Sequence, residues 1–260
     1  QSSFRIVLDG VGYLLAMASE LLQLQQADLN KYAVFSKSRL NDESADWCRF
    51  GRAGGDGSLV SLGRDLPLTA DSVVRSHGMI AIRLQDGRVE LWTPGADAEQ
   101  VRTRLAAQLQ EAPVNRWLLD QVRAGIGQVF GSTRELFIPQ MINLQALGGV
   151  SFKKGCYTGQ EIVARMQYLG KLKRRLQRLL IEGRQDELPA PGVEIFSPVH
   201  GSSVGEVVLA ASDTDRIELL AVLQEDAAAD GRLYLGSPDG LPMSLLELPY
   251  SLNADLEIQR

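Results

Sequence analysis

Cysteine and histidine are scarce in this sequence, which has two of each among its 260 residues. Cys48 and Cys156 lie too far apart along the chain to form a disulfide framework, and a reducing cytoplasm is the expected location. Neither the cysteines nor His77 and His200 have the spacing of zinc or iron–sulfur ligands. We therefore expect no metal site within one chain. A cluster shared between two subunits through Cys156 is the open alternative.

Long apolar runs are also absent, so no segment is expected to cross a membrane. The opening residues alternate around Asp9 and Gly10, which predicts a β-hairpin over residues 3–18 rather than a secretory leader. Positive charge is in deficit as well, because the formal net charge is −5. Proteins that coat themselves with nucleic acid are usually basic, so this balance disfavours that class.

Basic residues nevertheless concentrate in one window, and no acidic residue occurs between Glu161 and Glu182. The members of this basic strip are Arg165, Lys171, Lys173, Arg174, Arg175 and Arg178. Such a strip can attract an anion, for example a polyglutamate tail, a phosphate or RNA. The alternative is the solvated face of a strand or helix, which is the commoner role of a charged run.

The most informative stretch is KKGCYTGQE, residues 153–161. Thr158 and Glu161 have the spacing of a capping box, which predicts that a helix begins there. Cys156 would lie just outside this helix, where unpaired N–H groups carry partial positive charge. Two neighbouring lysines act in the same direction, so we expect a thiolate to form more readily than in a free cysteine. The alternative is a small buried hydrophobe beside a helix start.

The order of the predicted elements indicates an α+β chain with antiparallel sheets. Helices are predicted over residues 19–32, 97–109 and 113–125 from apolar spacing and from Ser, Pro and Gly at their ends. A second hairpin is predicted around Asp86 and Gly87. After Gly170, strand-like runs recur between Gly, Pro and Asp, which predicts a small all-β barrel or sandwich.

The segment FIPQMINLQALGGVSFKKGCYTGQEIVAR, residues 137–165, closely resembles the signature of the YgfZ family. KYAVFSK at residues 31–37 and LPYS at residues 248–251 are similar to further segments of that family. Its members are folate-binding proteins related to the aminomethyltransferase, or T-protein, of the glycine cleavage system. The resemblance implies an α+β fold, with an aminomethyltransferase-like folate-binding domain, a ferredoxin-like subdomain and a small C-terminal β-barrel.

The resemblance also implies a division of the chain. The folate-binding domain would comprise residues 1–41 and 113–170, the ferredoxin-like subdomain residues 42–112, and the barrel residues 171–260. Relatives carry a sizeable segment before the predicted hairpin, and that segment includes part of the folate pocket. We therefore expect the N-terminal part of the folate-binding domain to be missing from this sequence.

Trp117 lies where the family has a tryptophan implicated in folate contact. An indole face suits a pterin or aminobenzoyl ring, because offset stacking adds about 0.5–1.5 kcal/mol beyond burial. The alternative is that Trp117 anchors its helix in the core. Besides Trp117 for folate and Cys156 as candidate catalytic residue, the resemblance singles out the motif residues Lys153, Lys154, Gly155, Tyr157, Thr158, Gly159, Gln160 and Glu161.

The resemblance to T-proteins does not extend to their chemistry. T-proteins have an aspartate pair on the strand that matches Ser2 and Ser3 here, and a serine cannot act as a carboxylate base. They also lack the cysteine of the motif. The family resemblance implies instead tetrahydrofolate-dependent support of iron–sulfur enzymes, including the radical enzyme that thiomethylates adenosine in certain tRNAs. Under this hypothesis tetrahydrofolate binds in the central channel of the fold, with Cys156 at one end.

Two other functions stay open. One is a folate-dependent enzyme that transfers a methyl or aminomethyl group to an unidentified substrate. The other is direct tRNA binding through the basic strip. Net acidity disfavours the second, as does the lack of aromatic residues within the strip, where Tyr168 is the sole candidate for base stacking.

Overall fold

The computed structural model describes residues 2–53, 66–168 and 172–252. The chain divides into two compact units, which we call the first unit (residues 1–32 and 118–260) and the second unit (residues 33–117). The three-part domain division implied by the resemblance stays a prediction. Within the described ranges, no helix combines the length and apolar character needed to span a bilayer.

The first unit opens with the predicted hairpin. Strand β1 (Arg5–Asp9) pairs antiparallel with β2 (Gly12–Ala16). Gly10 in the connecting turn has a φ of +56°, a left-handed value that glycine adopts without steric cost. A 3₁₀ turn at Ser19–Leu21 then leads into helix α1 (Leu22–Ser36), which continues beyond the predicted end.

The second unit contains a four-stranded antiparallel sheet in the order β3-β6-β5-β4. Its strands are β3 (Trp47–Arg52), β4 (Val73–Ser76), β5 (Met79–Arg83) and β6 (Val89–Pro94). The predicted hairpin is β5–β6, with Gly87 in its turn at a φ of +85°. Helix α2 (Ala98–Ala106) covers the sheet, because Val101 shares one buried cluster with Met79 and Leu91.

Helix α3 (Val114–Arg123) follows Pro113, as predicted, and Gly125 beyond its end has a φ of +67°. The chain from residue 124 to residue 159 consists of turns, with one 3₁₀ turn at Gly131–Thr133. Helix α4 (Gln160–Tyr168) comes directly after these turns. The motif KKGCYTGQE therefore spans the junction between the turns and α4.

A closed six-stranded barrel follows, which confirms the predicted C-terminal β-barrel. Its strands and one short helix are β7 (Arg174–Glu182), β8 (Glu194–Phe196), β9 (Gly205–Asp213), β10 (Arg216–Gln224), α5 (Glu225–Asp230), β11 (Leu233–Leu235) and β12 (Leu241–Leu246). The order around the barrel is β10-β7-β12-β11-β8-β9, and β9 pairs with β10 to close it. Closure leaves no long unpaired edge.

Strand β10 is buried on both faces. Side chains alternate along a strand, so Leu219 and Ala221 lie in the cluster that fills the barrel. Leu220 and Val222 belong to a second cluster outside it. That outer cluster also contains Leu21, Leu119, Val122, Ile142 and Leu176. Burial on two sides explains why the sequence of β10 is almost continuously apolar.

Candidate functional site

The motif forms an exposed turn that leads into α4. Cys156 is exposed and its thiol is free, which contradicts the alternative of a small buried hydrophobe. Lys153 and Lys154 are exposed too, whereas Tyr157 is half-buried. Cys48 is also a free thiol and is half-buried on β3. Across the described ranges, no group of three or more His, Cys, Asp or Glu side chains is placed to hold a metal ion.

The start of α4 corrects the predicted capping box. Gly159 precedes the helix with a φ of +88°, and its carbonyl accepts the Val163 N–H at 3.3 Å. The Gln160 N–H donates to the Tyr157 carbonyl at 3.2 Å. Gly159 is therefore the cap residue and Glu161 the second helical residue, whereas a capping box needs Thr158 as the cap and Glu161 as the third helical residue. Glycine occupies the junction because a left-handed φ there would strain a threonine.

Two aromatic contacts stabilise the motif turn and its helix. The Lys154 Nζ atom lies 4.7 Å from the centre of the Tyr157 ring. This cation–π contact joins two residues that flank Cys156 in the sequence. Phe152 meets Tyr168 edge-on, with ring centres 5.9 Å apart. The segment before the motif thus folds back on the last residue of α4.

The backbone conformation at Gly155 does not require glycine. Its φ is not left-handed, and a Cβ built there would meet no described atom within 4 Å. Gly159 likewise has open space, but its positive φ gives glycine a conformational reason to be there. Of the two motif glycines, the structure therefore accounts for Gly159 alone.

A loop at residues 137–149 joins the motif helix to the barrel through side-chain amides. Gln140 Nε2 donates to the Val163 carbonyl on α4 at 2.6 Å. Asn143 Nδ2 donates to the Leu176 carbonyl on β7 at 3.3 Å. Both amide side chains are buried, and within the described part of the chain their oxygen atoms have no hydrogen-bond partner.

Tyr250, in the LPYS segment, ties the end of the described chain to that loop. Its hydroxyl donates to the Gly125 carbonyl at 2.7 Å and accepts from Asn143 Nδ2 at 3.4 Å. The ring packs against Gly125, where a Cβ would stand 2.7 Å from Cε1 of Tyr250. Burial raises the pKa of Tyr250, and the hydrogen bond from Asn143 opposes that shift only in part.

Trp117 belongs to the second unit and Cys156 to the first, so each is described within its own unit. The indole of Trp117 is half-buried, and the Arg88 guanidinium lies 4.1 Å from the ring centre. Arg88 is 4% exposed, donates to Asp86 at 2.7 Å and to the Trp117 carbonyl at 3.1 Å. A Cβ on Gly51 would overlap the indole. One face of Trp117 is therefore covered, and its role in folate contact stays a prediction.

The basic strip is not a uniform cationic surface. Arg174 forms an ion pair with Glu206, and Arg178 donates to Glu218 at 2.6 Å. These two guanidinium groups are engaged in structural pairs on the barrel. Lys171 lies outside the described residues. The strip therefore offers less free positive charge than its sequence indicates.

Comparison with known proteins identifies the relatives of this chain, although no protein-family model matches it. The tRNA-modifying protein YgfZ of Yersinia pseudotuberculosis is 33% identical over 261 residues, which cover 98% of this chain and 78% of the relative. The YgfZ protein of Serratia proteamaculans is 34% identical, covering 96% and 77%. That of Photorhabdus laumondii is 34% identical, covering 98% and 78%. The chain belongs to the YgfZ family.

A solved structure shares the fold of this YgfZ-family chain. The glycine cleavage system aminomethyltransferase T from Bartonella henselae superposes with a TM-score of 0.64, covering 96% of this chain and 72% of that one. The two sequences are only 12% identical, so the likeness concerns the fold. It confirms the expected class, an α+β aminomethyltransferase-like fold with a C-terminal barrel.

The structure of this YgfZ-family chain contains a buried ion cluster that the sequence analysis did not predict. Glu218 is 2% exposed, and its two oxygens accept from Arg123 and Arg178, each at 2.6 Å. Arg123 also donates to Asp213 at 2.5 Å. Burial alone would raise the pKa of Glu218, but the two arginines outweigh it and lower that pKa. The available signal was a glutamate within the apolar run of β10, since a carboxylate there needs cationic partners.

Proposed function

We propose that this protein is a cytoplasmic, folate-binding accessory protein that supports iron–sulfur enzymes and thereby the thiomethylation of tRNA. Tetrahydrofolate is its cofactor, and Cys156 is its reactive group. The observation that carries the proposal is the exposed thiol on the turn before α4, in a family whose curated members are named tRNA-modifying proteins. An exposed thiol can react or contact a partner, whereas a buried one is inert.

The surroundings of Cys156 support a role in contact with an anionic or electron-rich partner. The contact of Lys154 with the Tyr157 ring joins two residues that flank Cys156 in the sequence, so positive charge stays within the turn. The first N–H groups of α4 add partial positive charge at the same end of the helix. Both contributions favour the approach of negative charge to this turn.

The accessible part of Trp117 supports the folate part of the proposal. Because the indole is half-buried, part of its surface is open to a pterin or aminobenzoyl ring. Arg88 and Gly51 fix the orientation of the indole from within the second unit. Bound tetrahydrofolate would supply a carrier for a one-carbon unit, and a fold shared with an aminomethyltransferase supports such a site.

The two serines at the start of the chain argue for an accessory role over aminomethyl transfer. Ser3 Oγ accepts the Val129 N–H at 2.9 Å, and the Ser2 hydroxyl donates to Gln25 at 2.8 Å. Both hydroxyls make structural hydrogen bonds, and neither supplies the carboxylate that general-base chemistry at folate requires. Turnover of methylene- or methyl-tetrahydrofolate by the purified protein would instead favour the alternative, a folate-dependent transferase.

A titration with tetrahydrofolate, followed by tryptophan fluorescence, tests the folate part of the proposal. We expect saturable quenching by the unaltered protein and a loss of affinity of about tenfold for Trp117→Leu, which removes the aromatic face and about 1.4 kcal/mol of stacking. Trp47→Leu is the matched control, because Trp47 is also half-buried in the second unit but hydrogen-bonds Glu43. Equal affinity of both variants would remove Trp117 from the folate site.

A further inference from the structure

The loop at residues 137–149 is fixed to the barrel by both polar groups of one strand residue. The Leu176 N–H donates to the Met141 carbonyl at 2.8 Å, and the Leu176 carbonyl accepts from Asn143 at 3.3 Å. Leu176 and Asn143 are fully buried. The position of this loop is therefore set by strand β7.

The side chain of Gln140, the residue before the anchored Met141, connects the loop to α4. Its buried amide donates to the Val163 carbonyl at 2.6 Å. Val163 in turn donates its N–H to the Gly159 carbonyl, and the first amide of the helix, that of Gln160, donates to the Tyr157 carbonyl. A series of hydrogen bonds thus runs from the barrel-anchored loop through the helix start to the residue after Cys156.

Besides the edge-on contact of Tyr168 with Phe152, the buried attachment of helix α4 in the described part of the chain is centred on Val163. The helix is nine residues long, and Val163 is its one buried residue. A helix this short is marginal in water without tertiary contacts. The hydrogen bond from Gln140 reaches that same buried residue, so it acts where α4 is attached.

We propose that Gln140 is a positioning residue for Cys156. Its amide holds α4 to the loop that the barrel fixes, and α4 holds the turn that presents the thiol. The side chain at this position must be as long as glutamine and must carry an N–H donor. Its acceptor is a helix carbonyl, to which an ionised carboxylate or a thioether cannot donate a hydrogen bond. The inference rests on the proposed function for the use made of the thiol, while the positioning itself is testable without any activity.

The test uses a Cys48→Ala background with a nitroxide label on Cys156 and measures label mobility together with hydrogen exchange. In Gln140→Met, which keeps the length of the side chain, we expect a more mobile label. Exchange of the α4 amides should be about fivefold to tenfold faster, the factor for one lost hydrogen bond. Amides of β7 and β10 should exchange at unchanged rates. Gln140→Asn, whose amide is one methylene shorter and falls short of the Val163 carbonyl, should behave in the same way and serves if the methionine variant does not fold.

The control is Gln121→Met, because Gln121 is another buried glutamine whose amide donates to a backbone carbonyl, that of Ile126 at 3.3 Å. It should leave label mobility unchanged. An unchanged label in both Gln140 variants, or exchange accelerated equally in α4 and in the barrel, would overturn the inference. Failure of the proposed function has a different signature, since Cys156→Ala would then leave tRNA thiomethylation intact while the effects of Gln140 persisted.

Discussion

Arg123 and Glu218 form a forked ion pair in which Nη2 and Nε of the arginine donate to the same carboxylate oxygen, at 2.6 and 3.1 Å. Arg178 occupies the other oxygen. The three residues lie on α3, β10 and β7, so the cluster joins the helix to two barrel strands. A carboxylate is tolerated at this depth because both of its oxygens are paired with cations.

Glu218→Gln should lower the free energy of unfolding by about 3 kcal/mol at neutral pH, because it leaves two guanidinium groups without their buried counter-charge. Urea unfolding monitored by circular dichroism measures the change. The exposed pair of Arg232 and Asp230 provides the control, and Asp230→Asn should change unfolding little. Equal stability of Glu218→Gln and the unaltered protein would show that the cluster is energetically neutral.

The ion pairs of Glu218 with Arg123 and Arg178 make the free energy of unfolding depend on pH in a defined direction. The arginines lower the pKa of Glu218 in the folded protein below its ordinary value of 4.5. The contribution of Glu218 is therefore complete above that value and disappears as the pH falls through the lower folded pKa. The difference between the unaltered protein and Glu218→Gln should shrink on acidification below about pH 4.

Tyr250→Phe removes the hydroxyl that donates to Gly125 and should cost about 1 kcal/mol. Burial raises the pKa of Tyr250, so its contribution is present below the unfolded value of 10.0 and is lost as the pH rises through the folded value. Unfolding measured between pH 8 and pH 11 should show a steeper alkaline loss for the unaltered protein than for the variant. Tyr13→Phe, at an exposed position on β2, should keep the steep loss.

The two motif glycines should respond differently to alanine. Gly159→Ala forces a side chain into a left-handed conformation and should cost about 1 kcal/mol, with loss of helical signal from α4. Gly155→Ala should be tolerated, because its Cβ would meet no described atom within 4 Å. Thermal unfolding of both variants, together with hydrogen exchange of α4, measures the contrast. A larger loss at Gly155 would contradict the turn geometry.

Much of the fold was predictable from local pattern. Gly10 and Gly87 both mark tight hairpin turns with positive φ, which two-residue signals such as Asp-Gly predict. The barrel was predictable because its strands are separated by Gly, Pro and Asp. The start of α4 was not predicted correctly, since Thr158 and Gly159 are both plausible cap residues and only the φ of +88° at Gly159 decides between them.

The pairing of distant polar residues could not be predicted from one sequence. Arg123 and Glu218 lie 95 positions apart, and nothing local indicates that they meet. The contact of Arg88 with Trp117 depends on the packing of the second unit in the same way. The exposure of Cys156 also needed the structure, because the same motif is compatible with a buried sulfur. The motif indicated which residues to examine, but tertiary packing decides what each one contacts.

The most direct test of this account is the amount of thiomethylated adenosine in tRNA from cells whose own copy of this protein is replaced by variants. With Cys156→Ala, we predict a fall to the level of cells that lack the protein. Cys48→Ala removes the other free thiol and should keep the level of the unaltered protein. Unchanged thiomethylation with Cys156→Ala, at equal protein abundance, would contradict the central claim that this exposed thiol carries the function.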